Sequence, residues 1–560
     1  MFAAAKDAEW QQMKDLNVME KIRIADVPKG ETLFTSIMNF VMKTDKHGSP
    51  LKAKARLCFG GHRMIKGVHY EESASLTPRW STIRAHMANA VMKGRRLKQS
   101  DIPGAFLLGP PQKVMFMRAP NDQVEYDEHG QPYVYRVIGN TYGTKTGGKV
   151  FQDCLREWLT EMDFERAKND PCLFTRGMGT DDEIQLVTWC DDLAYHGATD
   201  QAIGEFETQL QAKWGKHKDM VFEEMEFFLG ANVEQSDGRL HMHHKVLIEQ
   251  ALGKFFPGTG KDALHPKRTP FPPGAQVNKS DCPKPGEKAL DAPYRELVGV
   301  LQYLAAVSRC DIAFCASQLA TVQANPGTAH WKLAKHCLSY LAGTKEYGPT
   351  YTSAKTGINA DEPESDNYDL TYYCDASYAD VKPFDFAIDD DGRRSQFGYI
   401  GLMAGGPVSW ASRLHKGRRC LSSTESELIA ACVCSKDILH MRWVTEEMGI
   451  RHKAPTVMYE DNQSCIYMLL KEGISERTKH IEVKWFFTRD CINEGLIHVK
   501  KVHTSEQRSD GLTKSLPHEG HHRHASELVG QTLEVNCIEC ITSDTMFIKT
   551  ACYVHVASDT

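Results

Sequence analysis

Residues 184–195 read Ile184-Gln185-Leu186-Val187-Thr188-Trp189-Cys190-Asp191-Asp192-Leu193-Ala194-Tyr195. Ile184, Leu186, Thr188 and Cys190 alternate with Gln185, Val187 and Trp189 in a β-prone run, and Leu193 to Tyr195 can return as its partner, so the pattern predicts a hairpin with two aspartates at its tip. Two ionised carboxylates roughly 4 Å apart repel by about 4 kcal/mol at an effective dielectric near 20, a cost that bound cations relieve. Asp101 supplies a further oxygen ligand. It follows the basic run Lys93, Arg95, Arg96 and Lys98 and precedes Ala105-Phe106-Leu107-Leu108, as expected of a strand end turning into a helix. Hard oxygen ligands of this kind suit Mg²⁺. Most Asp-Asp pairs are exposed turn residues, so the surroundings have to decide the reading.

A second set of carboxylates occupies the last third. Leu370 to Cys374 is a β-prone run ending at Asp375, Gly398–Met403 and Val408–Trp410 read as two more strands, and Glu427 opens a helix with Leu428, Ile429, Ala431, Cys432 and Ile438 facing inward. Thr456–Tyr459 is another strand ending near Asp461, and Asp510 begins a last helical segment. Carboxylates at the ends of adjacent strands and on a packed helix can converge while their backbones stay satisfied, which suits a pair of Mg²⁺ ions. Glu425 competes with Glu427 for this role. Arg413, His415, Lys416, Arg418 and Arg419 precede Glu427, and like the run at 93–98 they read, taken alone, as a solvated face.

With 560 residues, 41% hydrophobic and 25% charged, the chain has the length of roughly three or four globular domains. It contains no apolar run long enough to span a membrane and no signal-peptide core at its start, so a cytoplasmic or nuclear location without a membrane partner is expected. The 17 cysteines are scattered, as for reduced thiols. A net charge of −6 argues mildly against a nucleic-acid partner, and only the local cationic clusters argue for one. Residues 256–293 are rich in Pro, Gly and Lys and predict a linker between residues 1–255 and a helical region over 294–365. A compact segment over 366–520 and a tail over 521–560 follow.

The ordered motifs Lys54-Ala55-Arg56-Leu57, Asp101-Ile102-Pro103-Gly104-Ala105-Phe106-Leu107, Tyr142-Gly143, Asp170-Pro171-Cys172-Leu173-Phe174 and Trp189-Cys190-Asp191-Asp192 resemble the reverse transcriptase of copia-type LTR retrotransposons. Tyr294-Arg295-Glu296-Leu297-Val298-Gly299, Ser422-Ser423-Thr424-Glu425-Ser426-Glu427, Glu460-Asp461-Asn462-Gln463-Ser464, Arg477-Thr478-Lys479-His480-Ile481 and Asp510-Gly511-Leu512-Thr513-Lys514 extend the resemblance to the connecting segment and ribonuclease H of the same Pol polyproteins, over roughly residues 5–520. The resemblance implies an α+β protein: a fingers-palm-thumb polymerase over 1–255, a connecting subdomain over 294–365 and a mixed-sheet ribonuclease H domain over 366–520. It implies an RNA-directed DNA polymerase acting on RNA template, DNA primer and dNTPs, and a nuclease acting on the RNA-DNA hybrid, in the cytoplasm (within a virus-like particle), the nucleus or both.

Carried over by motif, Asp101, Asp191 and Asp192 are the polymerase carboxylates, and Asp375, Glu427, Asp461 and Asp510 those of the nuclease. Each set would hold two Mg²⁺ ions, with Mn²⁺ as an alternative. Arg56 and Lys54 would neutralise the triphosphate, Tyr142 would lie in the nucleotide pocket, and Phe106 would exclude a ribose 2′-hydroxyl. His503 would assist product release, and Asn462 and Gln463 would donate to 2′-hydroxyls of the hybrid. Ordinary surface or turn roles remain open for these last three, as do a core position for Phe106 and exposed strand charges for Arg56 and Lys54.

Departures from the family pattern accompany the match. Trp189 and Cys190 replace the usual residues before the aspartates, and Thr144-Lys145-Thr146-Gly147-Gly148 replaces a proline-containing segment, which predicts added backbone freedom beside the nucleotide. A degenerate or domesticated copy that binds nucleic acid without catalysis is therefore the alternative reading. Cys537, Cys540, Cys552 and His555 have zinc-ligand spacing in the tail. No protease, integrase or capsid motif is recognised, so no integration activity is expected of the chain by itself.

Overall fold

The computed structural model describes residues 2–44, 49–109, 113–216, 218–258, 264–353, 370–378, 395–415, 420, 422–471 and 482–530. The candidate zinc residues Cys537, Cys540, Cys552 and His555 lie outside the described residues, as do the Arg477–Ile481 motif and Lys416, Arg418 and Arg419.

The architecture is mixed α and β, in separate sheets. The hairpin predicted at 184–195 forms, with Ile184–Trp189 antiparallel to Asp192–Gly197. It sits in the middle of a six-stranded sheet, where Asp192–Gly197 also pairs with Lys98–Asp101. Both hairpin strands are almost wholly buried, which explains their near-continuous apolar sequence. One face carries the helices Gly147–Glu161 and Asp200–Trp214, whose Phe151, Leu155, Trp158, Phe206 and Trp214 form one core with Leu186, Leu193 and Tyr195. Ahead of this sheet stand a two-stranded ribbon, Ser36–Thr44 with Pro50–Phe59, and a small four-stranded sheet.

The C-terminal segment forms a five-stranded mixed sheet in the order Gly406–Leu414, Gln396–Met403, Thr371–Ser377, Thr456–Glu460, Ile497–Lys501. The first three strands are antiparallel and the last two join in parallel. Thr371–Ser377 is central and continues past Asp375, so that residue lies within the strand, not at its end. The long helix Ser423–Glu447 crosses this sheet; it starts at a Ser422 hydroxyl that accepts from the Glu425 N–H, which puts Glu427 in the second turn, not at the opening.

Residues 264–293 are largely irregular, yet Phe271 is fully buried and Val277, Cys282 and Leu290 pack on the helical core of Tyr294–Val307 and Thr328–Gly343. The proline-rich composition removed regular hydrogen bonding without removing burial. Nor does the chain divide cleanly at the expected borders. Thr350–Thr352 adds a strand to the sheet built by Ala231–Ser236 and Arg239–His243, and the tail begins with a packed helix, His518–Leu528.

Helix Trp80–Met92 is buried on every side from Ser81 to Val91, because it is held between the six-stranded sheet and the C-terminal sheet. Arg84 is its anchor. The guanidinium donates to the carbonyls of Val408 (2.8 Å), Ala306 (2.9 Å) and Val307 (2.8 Å) and stacks on the Trp410 ring at 3.7 Å. Burial without a carboxylate partner holds its pKa down to about 10. The described cysteines are free thiols, and among the described residues no helix is long and apolar enough to cross a membrane.

Candidate active sites

The first acidic group lies at one end of the six-stranded sheet. Trp189 pairs with Asp192, so the turn consists of Cys190 and Asp191, with Cys190 at φ +54°. Asp192 is in register with Asp101, and the Ile102 N–H donates to the Asp191 carbonyl at 3.0 Å, which ties the strand end to the hairpin tip. Burial raises the Asp191 pKa, the charge of Asp101 raises it further, and Arg56 and Lys54 oppose both. Asp101 is exposed and Asp192 half-buried.

The four expected nucleotide-pocket residues gather here. Arg56 lies over the Tyr142 ring at 5.2 Å, and Phe106 stands 6.2 Å from the same ring. Burial, with the nearby carboxylates of Glu9, Asp191 and Asp101, pushes the Tyr142 hydroxyl up and keeps it a neutral donor. Phe59 donates its N–H to the Tyr142 carbonyl at 2.7 Å, and Gly143 (φ +86°) follows so closely that a Cβ there would lie 2.4 Å from the Phe59 carbonyl oxygen. Gly147 and Gly148 do not add backbone freedom as expected. They begin the helix Gly147–Glu161, and a Cβ on either would come within 3.3 Å of the Phe106 ring. The missing side chains make room for that ring.

Three of the four cations in the run beside Asp101 are drawn into partly buried ion pairs. Lys93 and Arg95 both pair with buried Glu183, at 2.6 and 2.7 Å, and hold its carboxyl down to about 2. Lys98 pairs with Glu207, and Arg96 with Glu224 and Asp237. This corrects the expectation of a solvated basic face for Lys93, Arg95 and Lys98, whereas Arg96 and its two partners stay exposed.

The second acidic group is tighter. One oxygen from each of Asp375, Glu427 and Asp461 lies within 4.8 Å of the others, a grouping not found at Asp101, Asp191 and Asp192. Asp375 and Glu427 are each 5% exposed. Asp375 is pushed up to about 7, by burial first and by Asp510 next. Burial and the charges of Glu460, Asp375 and Asp461 push Glu427 up too. Its Oε2 has no hydrogen-bond partner among the described residues. Asp510, on a 3₁₀ turn, pairs with Lys514 at 2.9 Å and adds its charge from the side; the Thr513 hydroxyl, on the same turn, donates to Asp375. A buried, orphaned carboxylate oxygen facing two further carboxylates fits a divalent cation, because such a cation would satisfy all three.

Glu425 is half-buried on the first helical turn, so Glu427 is the glutamate that reaches the group. The Asn462 side chain caps the helix Gln463–Leu470 by accepting from the Cys465 N–H at 3.0 Å, a turn-forming role, and Gln463 is exposed. His503 is exposed and caps the 3₁₀ turn Thr504–Glu506.

Beside the two acidic groups, two buried acids escaped the sequence reading. Glu9 accepts from the Leu57 N–H at 2.9 Å, beside Arg56; nothing in its helix marks it out. Glu460 is fully buried beside Asp461 and is pushed up to about 8. A glutamate ending an otherwise apolar strand was its one signal.

The reverse transcriptase (RNA-dependent DNA polymerase) family matches residues 19–266. The retrovirus-related Pol polyprotein from transposon TNT 1-94 of Nicotiana tabacum is 27% identical over 515 residues, which is 90% of this chain and 36% of that protein. The corresponding polyprotein from transposon RE1 of Arabidopsis thaliana is 28% identical over 535 residues, 94% of this chain and 34% of its own length. The chain thus spans about a third of the length of the curated relatives it matches. Among solved structures, a foamy viral protease-reverse transcriptase in complex with double-stranded DNA aligns over 89% of this chain and 69% of its own, at 11% identity and a TM-score of 0.43.

Proposed function

This chain is a homologue of the Pol polyproteins of plant copia-type transposons and carries their reverse transcriptase domain, and on that premise we propose that it copies RNA into DNA at Asp101, Asp191 and Asp192 and cleaves the RNA of the hybrid at Asp375, Glu427, Asp461 and Asp510. The observation that carries the first half is the register of Asp192 with Asp101 at the end of a sheet inside the matched domain. At those strand ends Asp101 and Asp191 would hold divalent cations, with Asp192 secondary. Arg56, oriented by the Tyr142 ring, faces the triphosphate, and Phe106, wedged between Tyr142 and the two glycines, stands where a 2′-hydroxyl would enter.

In the C-terminal site Asp375, Glu427 and Asp461 would hold the cations, with Asp510, paired with Lys514, adding its charge beside Asp375. Bound divalent ions supply a nucleophile activated at neutral pH and neutralise charge on the departing oxygen. RNA template, DNA primer, dNTPs and the hybrid are the proposed ligands, and Mg²⁺ or Mn²⁺, two ions per site, the proposed cofactor. Primer extension on poly(rA)-oligo(dT) with Mg²⁺ tests the assignment: the Asp191→Asn/Asp192→Asn variant loses incorporation, and equal incorporation by variant and parent would reject the site. Asp461→Asn abolishes hybrid cleavage in the same way.

A further inference from the structure

Behind the C-terminal carboxylates, two neighbouring strands are joined by a contact that uses one residue from each. Cys374 directly precedes Asp375 on the central strand, and Glu460 directly precedes Asp461 on the next, parallel strand. The Cys374 thiol donates to Glu460 Oε2 at 3.3 Å, while Glu460 Oε1 accepts from the Asn462 N–H at 2.9 Å. One side chain therefore grips the segments on either side of Asp461 and the segment before Asp375. Glu460 is fully buried and has no cationic partner among its contacts. It does not belong to the trio whose oxygens lie within 4.8 Å of one another. A buried carboxylate behind other carboxylates is unfavourable by itself, so its presence calls for a function that offsets the cost.

We propose that Glu460 is a positioning residue of the C-terminal metal centre: through Cys374 and Asn462 it fixes Asp375 and Asp461 at the spacing that lets them, with Glu427, hold a divalent cation. The inference rests on the metal-centre reading above. It separates the roles of the two oxygens of Glu460, both spent on protein donors, from those of Asp461, whose carboxylate faces the site. Partners that orient metal ligands typically contribute about 10- to 100-fold in affinity.

The experiment is an Mn²⁺ titration of the metal-free full chain, followed by electron paramagnetic resonance, in the Asp191→Asn/Asp192→Asn background so that the C-terminal centre alone is read. Glu460→Ala is expected to weaken binding about 10-fold or more. Glu460→Gln keeps an acceptor for Asn462 and a polar contact for Cys374 and is expected to stay within about 3-fold of the parent, a smaller loss than that range. Equal losses in Glu460→Gln and Glu460→Ala would show that charge, not positioning, matters, and unchanged binding in both would show that neither does; either result overturns the proposal. Should Glu460→Ala fail to fold, Cys374→Ala and Cys374→Ser read the same clamp: the first weakens Mn²⁺ binding and the second, which retains a donor, restores it, whereas equal affinities reject the clamp. If the background protein shows no Mn²⁺ binding that Asp461→Asn removes, the metal-centre reading itself fails and this inference falls with it.

Discussion

The two acidic centres use the same kind of ligand in opposite surroundings. Asp101, Asp191 and Asp192 lie at the strand ends of the six-stranded sheet, where Arg56 and Lys54 act on Asp191; Asp101 is exposed and the other two are half-buried. Asp375, Glu427 and Glu460 are sunk in the C-terminal domain, and Lys514 is the cation that acts on Asp375 and Asp510 there. Water and flanking cations stabilise the first group before any metal arrives. The second group has only Lys514, beside Asp375 and Asp510, and the buried carboxyls of Glu427 and Glu460 are left with proton or metal as alternatives. Burial therefore makes one centre a docking edge for charge and the other a site that is incomplete when empty.

The largest effect expected is a reciprocal one. Asp191→Asn/Asp192→Asn should reduce primer extension by about 10³-fold or more while hybrid cleavage keeps its rate, and Asp461→Asn should do the converse, since each change removes only its own metal ligands. Loss of both activities in either variant would mean that the centres are not chemically independent.

The pH dependence of the metal effect comes next. The folded pKa of Asp375 is raised from 3.8 to about 7 and that of Glu460 from 4.5 to about 8. For a raised carboxyl, the stabilisation of the metal-free protein is complete below the unfolded value and is lost as pH climbs through the folded one, at about 1.4 kcal/mol per pH unit per group. Mg²⁺ competes with those protons. The rise in Tm on adding Mg²⁺ should accordingly grow from pH 5 to pH 8, as read by thermal scans with Mg²⁺ and with chelator, and should shrink in Asp461→Asn. A Mg²⁺ effect that is the same at both pH values would contradict the burial account.

The N-terminal half should show the opposite slope. His86 and His196 stack at 4.8 Å between helix Trp80–Met92 and the six-stranded sheet, and burial holds His86 down to about 3 and His196 well below its usual value. Lys93 and Arg95 add to the lowering at His196. For a depressed histidine, stability is present above the unfolded value near 6.5 and is lost as pH falls below it, again at about 1.4 kcal/mol per unit per group. Urea midpoints between pH 7 and pH 5 should fall in the parent and fall less in His86→Phe. The smallest effect is reserved for Arg96, whose pairs with Glu224 and Asp237 are exposed: Arg96→Ala should change stability by less than about 1 kcal/mol and leave the salt dependence of primer-template binding unaltered.

The hairpin at 184–195 and the C-terminal strands were readable as short β-prone runs, although most of their positions are buried and burial does not alternate along them. The candidate ligands were readable because carboxylates beside apolar, β-prone or helical runs are chemically conspicuous, even though Asp375 lies within its strand and Glu427 within a helix. Partner-dependent facts were not. Nothing local distinguishes the run at 93–98 from a nucleic-acid surface until Glu183, Glu207 and Glu224 are brought to it from far along the chain. Gly147 and Gly148 looked like lost rigidity because Phe106, the ring they accommodate, lies far upstream in the chain. Phe271 looked like part of a linker because proline spacing reports backbone hydrogen bonding and not what a side chain touches.

Arg84 separates inheritance from mechanics. The reverse transcriptase match ends at residue 266, but the carbonyls that receive this guanidinium belong to residues 306, 307 and 408, and the indole beneath it to Trp410. A polypeptide cut at the family border would leave the helix around Arg84 with one apolar flank stripped and a cation facing no acceptor. What descends as a module here is therefore not expected to melt as one: a piece that keeps Arg84 satisfied has to reach past the border into the C-terminal sheet.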